Sequence, residues 1–514
     1  MDLRKRRLSF CVFLIGAVVC FMQFNCGEPA TEGDLAKNDG KSLSLKYCKS
    51  CHEYPEAQFL DKETWVKHVL PAMAPRLGIQ VYDDDQYVNN PSAKSALSYD
   101  EWLKIVDYYS KSAPKALKPA QQPVKPVKDW GVFSLEKPSG YNPPDATTTM
   151  IVFDTIERKV YTSDRNSSSI YQWSDKLVQL SAHRYSSPAV DARFEKDATG
   201  KEHGLFTFIG SMDAVDVFNG FLTDITFNDN GTWQDEEITN GLPRPVQSLT
   251  ADFDKDGLDD FVVCGFGHNT GGLYLYTQLP DKKFEKHVVS SIPGAEQAVT
   301  GDFDHDGWPD VACLFAQADE GIWLFLNDHK GGFTTRNLLR FPPFYGSSSF
   351  QLVDFNRDGK LDILYTSGDN SDYSRVLKPF HGVYIFLNQG DFKYKKAYFF
   401  PVNGATKAVA TDFNGDGLQD IAVIAFFSDL KNNPAEGFTY FEQDSPLHFM
   451  PHNLPIEHEG RWICMDVGDF NKDGKPDILL GNYSTGFINQ QGVKPGWNPV
   501  APFILLTNTG KLKI

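Results

Sequence analysis

One nine-residue pattern, D-F-[DN]-x-D-G-x-x-D, occurs five times in this chain and constrains its fold more than any other feature. The first two copies carry Asp252, Asp254, Asp256 and Asp260, then Asp302, Asp304, Asp306 and Asp310. The third carries Asp354, Asn356, Asp358 and Asp362, and the fourth Asp412, Asn414, Asp416 and Asp420. The last carries Asp469, Asn471, Asp473 and Asp477. Successive copies start 50, 52, 58 and 57 residues apart, and self-similarity at such a period means one supersecondary unit per repeat. An apolar run follows each copy, as at 311–315 and 421–424, and a second follows a glycine, as at 382–388. Strand, acidic turn, strand, glycine turn, strand and a polar fourth strand make a four-stranded antiparallel unit. No helical periodicity separates these strands, which excludes a parallel α/β sheet.

Residues 131–514 divide into seven units of about 55 residues, inside the observed spacing. Residues 131–243 have room for two units before the first acidic loop. One is carried by 149–153 with 159–161; the other holds only a weak echo, 191–204, without the aspartate pattern. The sequence therefore predicts an all-β propeller of seven blades, six or eight being the alternatives. A closed ring leaves few strand edges exposed.

The DxDxDG loops resemble those of FG-GAP/VCBS repeat propellers, the family that includes the integrin α-subunit head. The resemblance covers residues 245–490 firmly and 131–514 loosely. It implies one Ca²⁺ per loop, about five in all, held by side chains one, three, five and nine and the seventh carbonyl. Side-chain oxygens at alternate positions of a tight loop converge on one point, and glycine at six permits the turn. An EF-hand would need a glutamate at twelve and flanking helices, and neither is present. The formal charge of -17 is largely accounted for by these loops, because clustered carboxylates call for a cation. An acidic chain gains nothing from counterion release on phosphates, so nucleic acid is excluded as a general partner.

At 514 residues the chain exceeds one ordinary core, and its N-terminal quarter reads differently from the repeats. Arg4 to Arg7 precede an uncharged run at 8–24 that fits a signal h-region. Cys26 follows and resembles a lipoprotein acylation site, although Gln23, Phe24 and Asn25 depart from the usual small residues. Residues 1–26 are thus read as an export signal, with an uncleaved anchor or plain secretion as alternatives. The expected location is periplasmic or cell-surface, with the membrane reached through a lipid anchor on Cys26.

Cys48, Cys51 and His52 form C-x-x-C-H. Two thiols at that spacing fit one helical turn and can add to the two vinyl groups of haem, leaving the imidazole beneath the iron. A zinc site would need further ligands, and the next cysteine is Cys264. Met73 is the expected distal ligand, proximal His52 being the other, with His68 as the competitor. A helix is expected at 98–112, with Trp102, Ile105, Val106 and Tyr109 on one face. Residues 36–112 resemble a small class I cytochrome c, which implies a small all-α domain carrying haem c. The proline- and lysine-rich stretch 113–130 reads as an extended spacer. The expected fold class is therefore multidomain: an all-α cytochrome c domain, then the all-β propeller at 131–514.

The leading functional expectation is an exported electron carrier whose propeller docks a redox partner in the envelope or recognises a protein or glycan ligand. Iron with both axial positions filled passes electrons without bond chemistry. The alternatives are a haem-coupled oxidoreductase with a substrate site on the propeller, and a glycan- or protein-binding propeller with haem secondary. For the enzyme reading the candidates are His381 and Arg461, polar residues beside aromatic ones; blade packing accounts for both more simply.

Overall fold

The computed structural model describes residues 39–510 apart from 83–85, 142, 198, 229, 372–374, 487, 489 and 491. Cys26 and the export signal lie outside the described residues.

Seven antiparallel sheets follow one another around a ring. Blades 1 to 6 begin with inner strands Thr148–Asp154, Ala189–Lys196, Pro245–Ala251, Ala295–Gly301, Ser347–Val353 and Lys407–Thr411. Each is built from four consecutive strands, and the acidic loops join the first strand to the second. The second strands are buried along their whole length, as at Asp310–Phe315, because a neighbouring blade covers each face. Most fourth strands, such as Phe333–Arg340, are exposed and polar at most positions, whereas His448–Asn453 of blade 6 is largely buried. That matches the apolar and polar runs of the repeat.

Blade 7 is completed from elsewhere. Trp462–Gly468, Asp477–Asn482 and Phe503–Asn508 accept Phe133–Glu136 as their outermost strand, with Phe133 opposite Asn508. Just upstream, Val127–Lys128 adds in parallel to the edge of blade 6 at His452 and Asn453. The ring is thus closed by residues that precede every repeat. The inner strands are also latched to one another through side chains. Gln247 accepts from the Ala298 N–H (2.6 Å), Gln297 from Phe350 (3.0 Å) and Gln351 from Ala410 (2.7 Å). Lys407 donates to the Met465 carbonyl (2.9 Å), and Asp466 accepts from the Phe153 N–H (2.7 Å).

The expected all-α cytochrome c domain is not formed, and the fold class is corrected accordingly. The chain is mostly a seven-bladed propeller with a few short helices. Within residues 39–115, helix is confined to Gly40–Tyr47, Tyr99–Ser112, the single turns Cys48–Ser50 and Ala57–Phe59, and an irregular run over 62–77 that passes between α, π and 3-10 geometry. Gln80–Tyr82 pairs antiparallel with Gln86–Val88 instead of continuing in helix. The physical reason lies in the sequence between. Pro71 and Pro75 lack the N–H that a continuing helix needs, and Gly78 (φ 84°) turns the chain through the left-handed region. The last helix is as expected: Ser98 and Glu101 form a capping box, and Trp102, Ile105 and Tyr109 are buried.

This N-terminal cap rests on the propeller. The Phe59 ring lies 5.7 Å from Phe344 and 5.7 Å from Phe380, and Trp65 lies 5.7 Å from Phe344. Arg76 donates to Asn269 in blade 3. Phe344, Phe380 and Asn269 sit in connections between second and third strands or between blades. Antiparallel alternation puts those connections on the face opposite the acidic loops. The cap therefore covers one face of the ring and leaves the acidic loops on the other.

Where blade 1 meets blade 2, two buried carboxyls meet. Asp154 is fully buried and Glu202 is 7% exposed. Burial, and then the hydrogen bond to Asp154, push Glu202 up to about 8. The folded state thus keeps a proton that the unfolded chain releases near 4.5, the ordinary value for glutamate. Stability from this pair is complete below that pH and is lost as pH rises through about 8, where the slope is negative by linkage. Glu202→Gln should flatten this dependence. The urea midpoint should fall less for the variant than for wild type between pH 6 and pH 9, and equal falls would refute the assignment.

Candidate functional site

Each acidic loop is built the same way. The first aspartate accepts the N–H groups of positions five and six: Asp302 from Asp306 (3.0 Å) and Gly307 (3.0 Å), Asp469 from Asp473 (3.1 Å) and Gly474 (3.1 Å). Those bonds need position six in the left-handed region, and the five glycines there have φ between 80° and 87°. Position four also has positive φ, at Lys255, His305, Arg357, Gly415 and Lys472. The turn projects positions one, three and five to the same side.

Oxygens of Asp252, Asp254 and Asp260 lie within 4.8 Å of one another, as do those of Asp302, Asp304 and Asp306. Such a spacing suits one oxygen-ligated cation. Asp354, Asn356, Asp358 and Asp362 repeat the loop in blade 5, where the Asp358 N–H donates to the side-chain oxygens of Asp354 and Asn356. Asp412, Asn414, Asp416 and Asp420 in blade 6, and Asp469, Asn471, Asp473 and Asp477 in blade 7, do likewise.

Position nine has a task that the sequence does not announce. Asp260, Asp310, Asp362, Asp420 and Asp477 are essentially inaccessible to solvent. One oxygen of each accepts the N–H of the loop phenylalanine, and the other that of a residue ending the third strand. For Asp477 these partners are Phe470 (3.0 Å) and Asn508 (2.7 Å). Burial pushes Asp420 and Asp477 up to about 6 despite these bonds. The position-nine aspartate therefore ties loop to blade, and its remaining lone pairs are what a cation could use.

The C-x-x-C-H residues lie at the end of helix Gly40–Tyr47, where Cys48 is the C-cap. Cys51 is exposed; Cys48 is more enclosed, and burial pushes its thiol up to about 11. His52 is half-buried, and its Nδ1 lies 2.9 Å from the Glu53 carbonyl. Facing a carbonyl, Nδ1 must carry the proton, which leaves Nε2 as the lone-pair donor. Burial lowers the imidazole pKa, with Asp319 and Arg340 of blade 4 acting in opposite senses. Met73 is half-buried against the core of Trp65, Leu70 and Trp102, whereas His68 is exposed.

His381 and Arg461 are both buried at blade ends on the capped face. Arg461 lies 3.6 Å over the Phe426 ring and donates to its carbonyl. The cavity beside it measures about 20 Å³, room for about one water molecule. That space beside Arg461 would not admit a substrate.

A family model described as an FG-GAP-like repeat matches residues 252–313 and 302–365. The mouse protein "Cartilage acidic protein 1" is 28% identical over 195 residues, covering 35% of this chain. The chain spans 29% of the length of that curated relative. Among solved structures, the Neurospora crassa Pan2 WD40 domain superposes with TM-score 0.42 at 9% identity, covering 70% of this chain and 88% of that one. A virginiamycin B lyase from Staphylococcus aureus gives TM-score 0.43 at 12% identity, covering 73% and 99%. With the strand pairing already described, the conclusion is that this chain carries FG-GAP-like repeats in a seven-bladed β-propeller.

Proposed function

We propose that this chain is an exported recognition propeller, stiffened by Ca²⁺ in its acidic loops and carrying a covalent haem on its N-terminal cap. The observation that carries the reading is the convergence of aspartate oxygens in the loops at Asp252 and Asp302. Bound Ca²⁺ would cancel carboxylate repulsion and fix the first two strands of blades 3 to 7 relative to one another. The uncapped face, which bears these loops, is the surface available for a protein or glycan ligand. The test uses full-length protein immobilised with Ca²⁺ or with chelator and exposed to an envelope extract. Calcium-dependent capture of a saturable ligand is expected, and its absence would remove the recognition reading.

The haem reading draws support from His52, whose Nδ1 is anchored and whose Nε2 is left as donor, and from the two thiols beside it. Cys48 and Cys51 would hold the porphyrin, His52 the proximal side and Met73 the distal side. When bound, haem supplies one-electron exchange. Cap residues would exclude water from one edge, and the cap's seat on blades 4 and 5 would hold that edge beside the propeller. Such a protein would serve as an electron carrier for a redox partner of the envelope. After expression with a haem-maturation system, a denaturing gel should show a band with haem peroxidase activity. Cys51→Ser should abolish the double attachment. Met73→Ala should lower the potential and admit imidazole to the iron; unchanged imidazole binding would point to His68 instead. Anchoring through Cys26 would place the protein on a membrane surface, and palmitate labelling lost in Cys26→Ser is its test.

A further inference from the structure

The second residue of every acidic loop is phenylalanine: Phe253, Phe303, Phe355, Phe413 and Phe470. Each turns inward and fills the space between its own blade and the next. Phe253 meets Phe333 of blade 4 (6.1 Å between ring centroids), and Phe355 meets Phe449 of blade 6 (6.4 Å). Phe413 meets Phe133 of blade 7 (5.4 Å), and Phe470 meets Phe153 of blade 1 (5.3 Å). Phe303 joins the core between blades 4 and 5. Blades 1 and 2 have no such loop. Between them the space is filled by Tyr161, Phe227 and Trp233. Among the described residues, no ring of the blade 2 loop takes the place of that phenylalanine between blades 2 and 3, and a cleft of about 180 Å³ opens there.

The walls of this cleft carry both signs of charge. Blade 2 contributes Arg193, Glu195, Glu236 and the His203–Asp224 pair, joined at 2.7 Å. Blade 3 contributes Asp259 and Lys282. The floor is apolar: Leu205, Ile238 and the Phe261–Phe284 pair, whose ring centroids are 5.1 Å apart. The volume would hold about six waters and lies below the range of drug-sized pockets. A ligand that uses all three features has an ammonium for the carboxylates, a carboxylate for Arg193 or Lys282, and an apolar side chain for the floor.

We propose that the cleft between blades 2 and 3 binds a small zwitterion with an apolar side chain, of the α-amino acid class. The proposal rests on the recognition reading of the propeller and gives it a first specific site. It does not involve the haem. Mixed charge around an apolar floor disfavours a simple hydrocarbon, which would leave the ionised walls desolvated and unpaired. It also disfavours a polyanion, because acidic side chains outnumber basic ones there.

The test is calorimetric titration of the full chain in Ca²⁺ with leucine, phenylalanine, isoamylamine and 4-methylpentanoate. Saturable binding of an amino acid is expected, with the amine and the acid at least tenfold weaker. Arg193→Gln and Asp224→Asn should each weaken it about tenfold, as expected for loss of one charge-assisted hydrogen bond. Ile238→Trp, which restores a plug, should abolish it; if that variant does not fold, the two charge variants decide the matter. No binding to either amino acid, equal binding of the amine, or binding indifferent to the charge variants would each overturn the proposal. Calcium-dependent capture of an envelope ligand that persists in Ile238→Trp would leave the recognition reading standing without this site.

Discussion

Removing divalent cations should lower the melting temperature of the propeller by on the order of 10 °C. If the five loops hold Ca²⁺ as proposed, with affinities of about 10⁻⁴ M in millimolar Ca²⁺, each stabilises the folded state by roughly 1.4 kcal/mol. Five such sites on one closed ring give about 7 kcal/mol, and a domain of this size shifts by only one or two degrees per kcal/mol. The change should be followed by strand circular dichroism with and without chelator. Asp306→Asn should reduce the measured stoichiometry by one and recover a proportionate part of the sensitivity. Asp310→Asn should do more harm, because Asp310 also accepts the Phe303 and Asn327 N–H groups (2.9 and 2.8 Å). A propeller whose melting ignores chelator would reduce the five loops to well-formed turns.

The second large effect is expected at the seam of the ring. Phe133 is fully buried in the strand that completes blade 7, with ring centroids 5.4 Å from both Phe413 and Tyr440. Phe133→Ala removes a large side chain from a core with no slack and should cost about 3–5 kcal/mol. It should also free the strand edge of Phe503–Asn508, so limited proteolysis should begin there. The urea midpoint gives the first quantity and mass mapping of early fragments the second. Leu361→Ala, at a residue 47% exposed, is the control and should change stability by less than about 0.5 kcal/mol. A loss at Phe133 no larger than at Leu361 would mean the seam does not depend on this strand.

Repetition made the propeller legible. The acidic loop, the buried second strand and the exposed fourth strand recur in register, so each copy corroborates the others, and the spacing yields the blade number. What does not repeat was harder to see. Phe133–Glu136 is four residues long and pairs with a strand near the other terminus, a partner that no local pattern identifies. In the cap, the short alternations at Gln80–Tyr82 and Gln86–Val88 were hidden by the stronger helical signal around Trp102, so an all-α unit was expected where a hairpin forms. The loop pattern shows the position-nine aspartates only as ligands, because their bonds to strand ends depend on the folded blade. The cleft could be read only as an omission: a phenylalanine present in five repeats and missing from blade 2. Its charged walls come from four different strands of that blade and from Asp259 and Lys282 of blade 3, spaced without periodicity.

The borrowed strand also sets an order of events. As the chain emerges from its N-terminus, residues 133–136 are available early but their partner, Phe503–Asn508, is made last. Six blades can form their local hairpins while the seventh waits, and contacts this distant in sequence slow folding. Until they form, the apolar flank of blade 6 and the unpaired edges of blade 7 are exposed, the condition under which β-proteins associate wrongly. Docking of this early strand onto one made after every acidic repeat is thus the step that commits the ring, and its rate, more than that of any single blade, should govern the yield of folded protein.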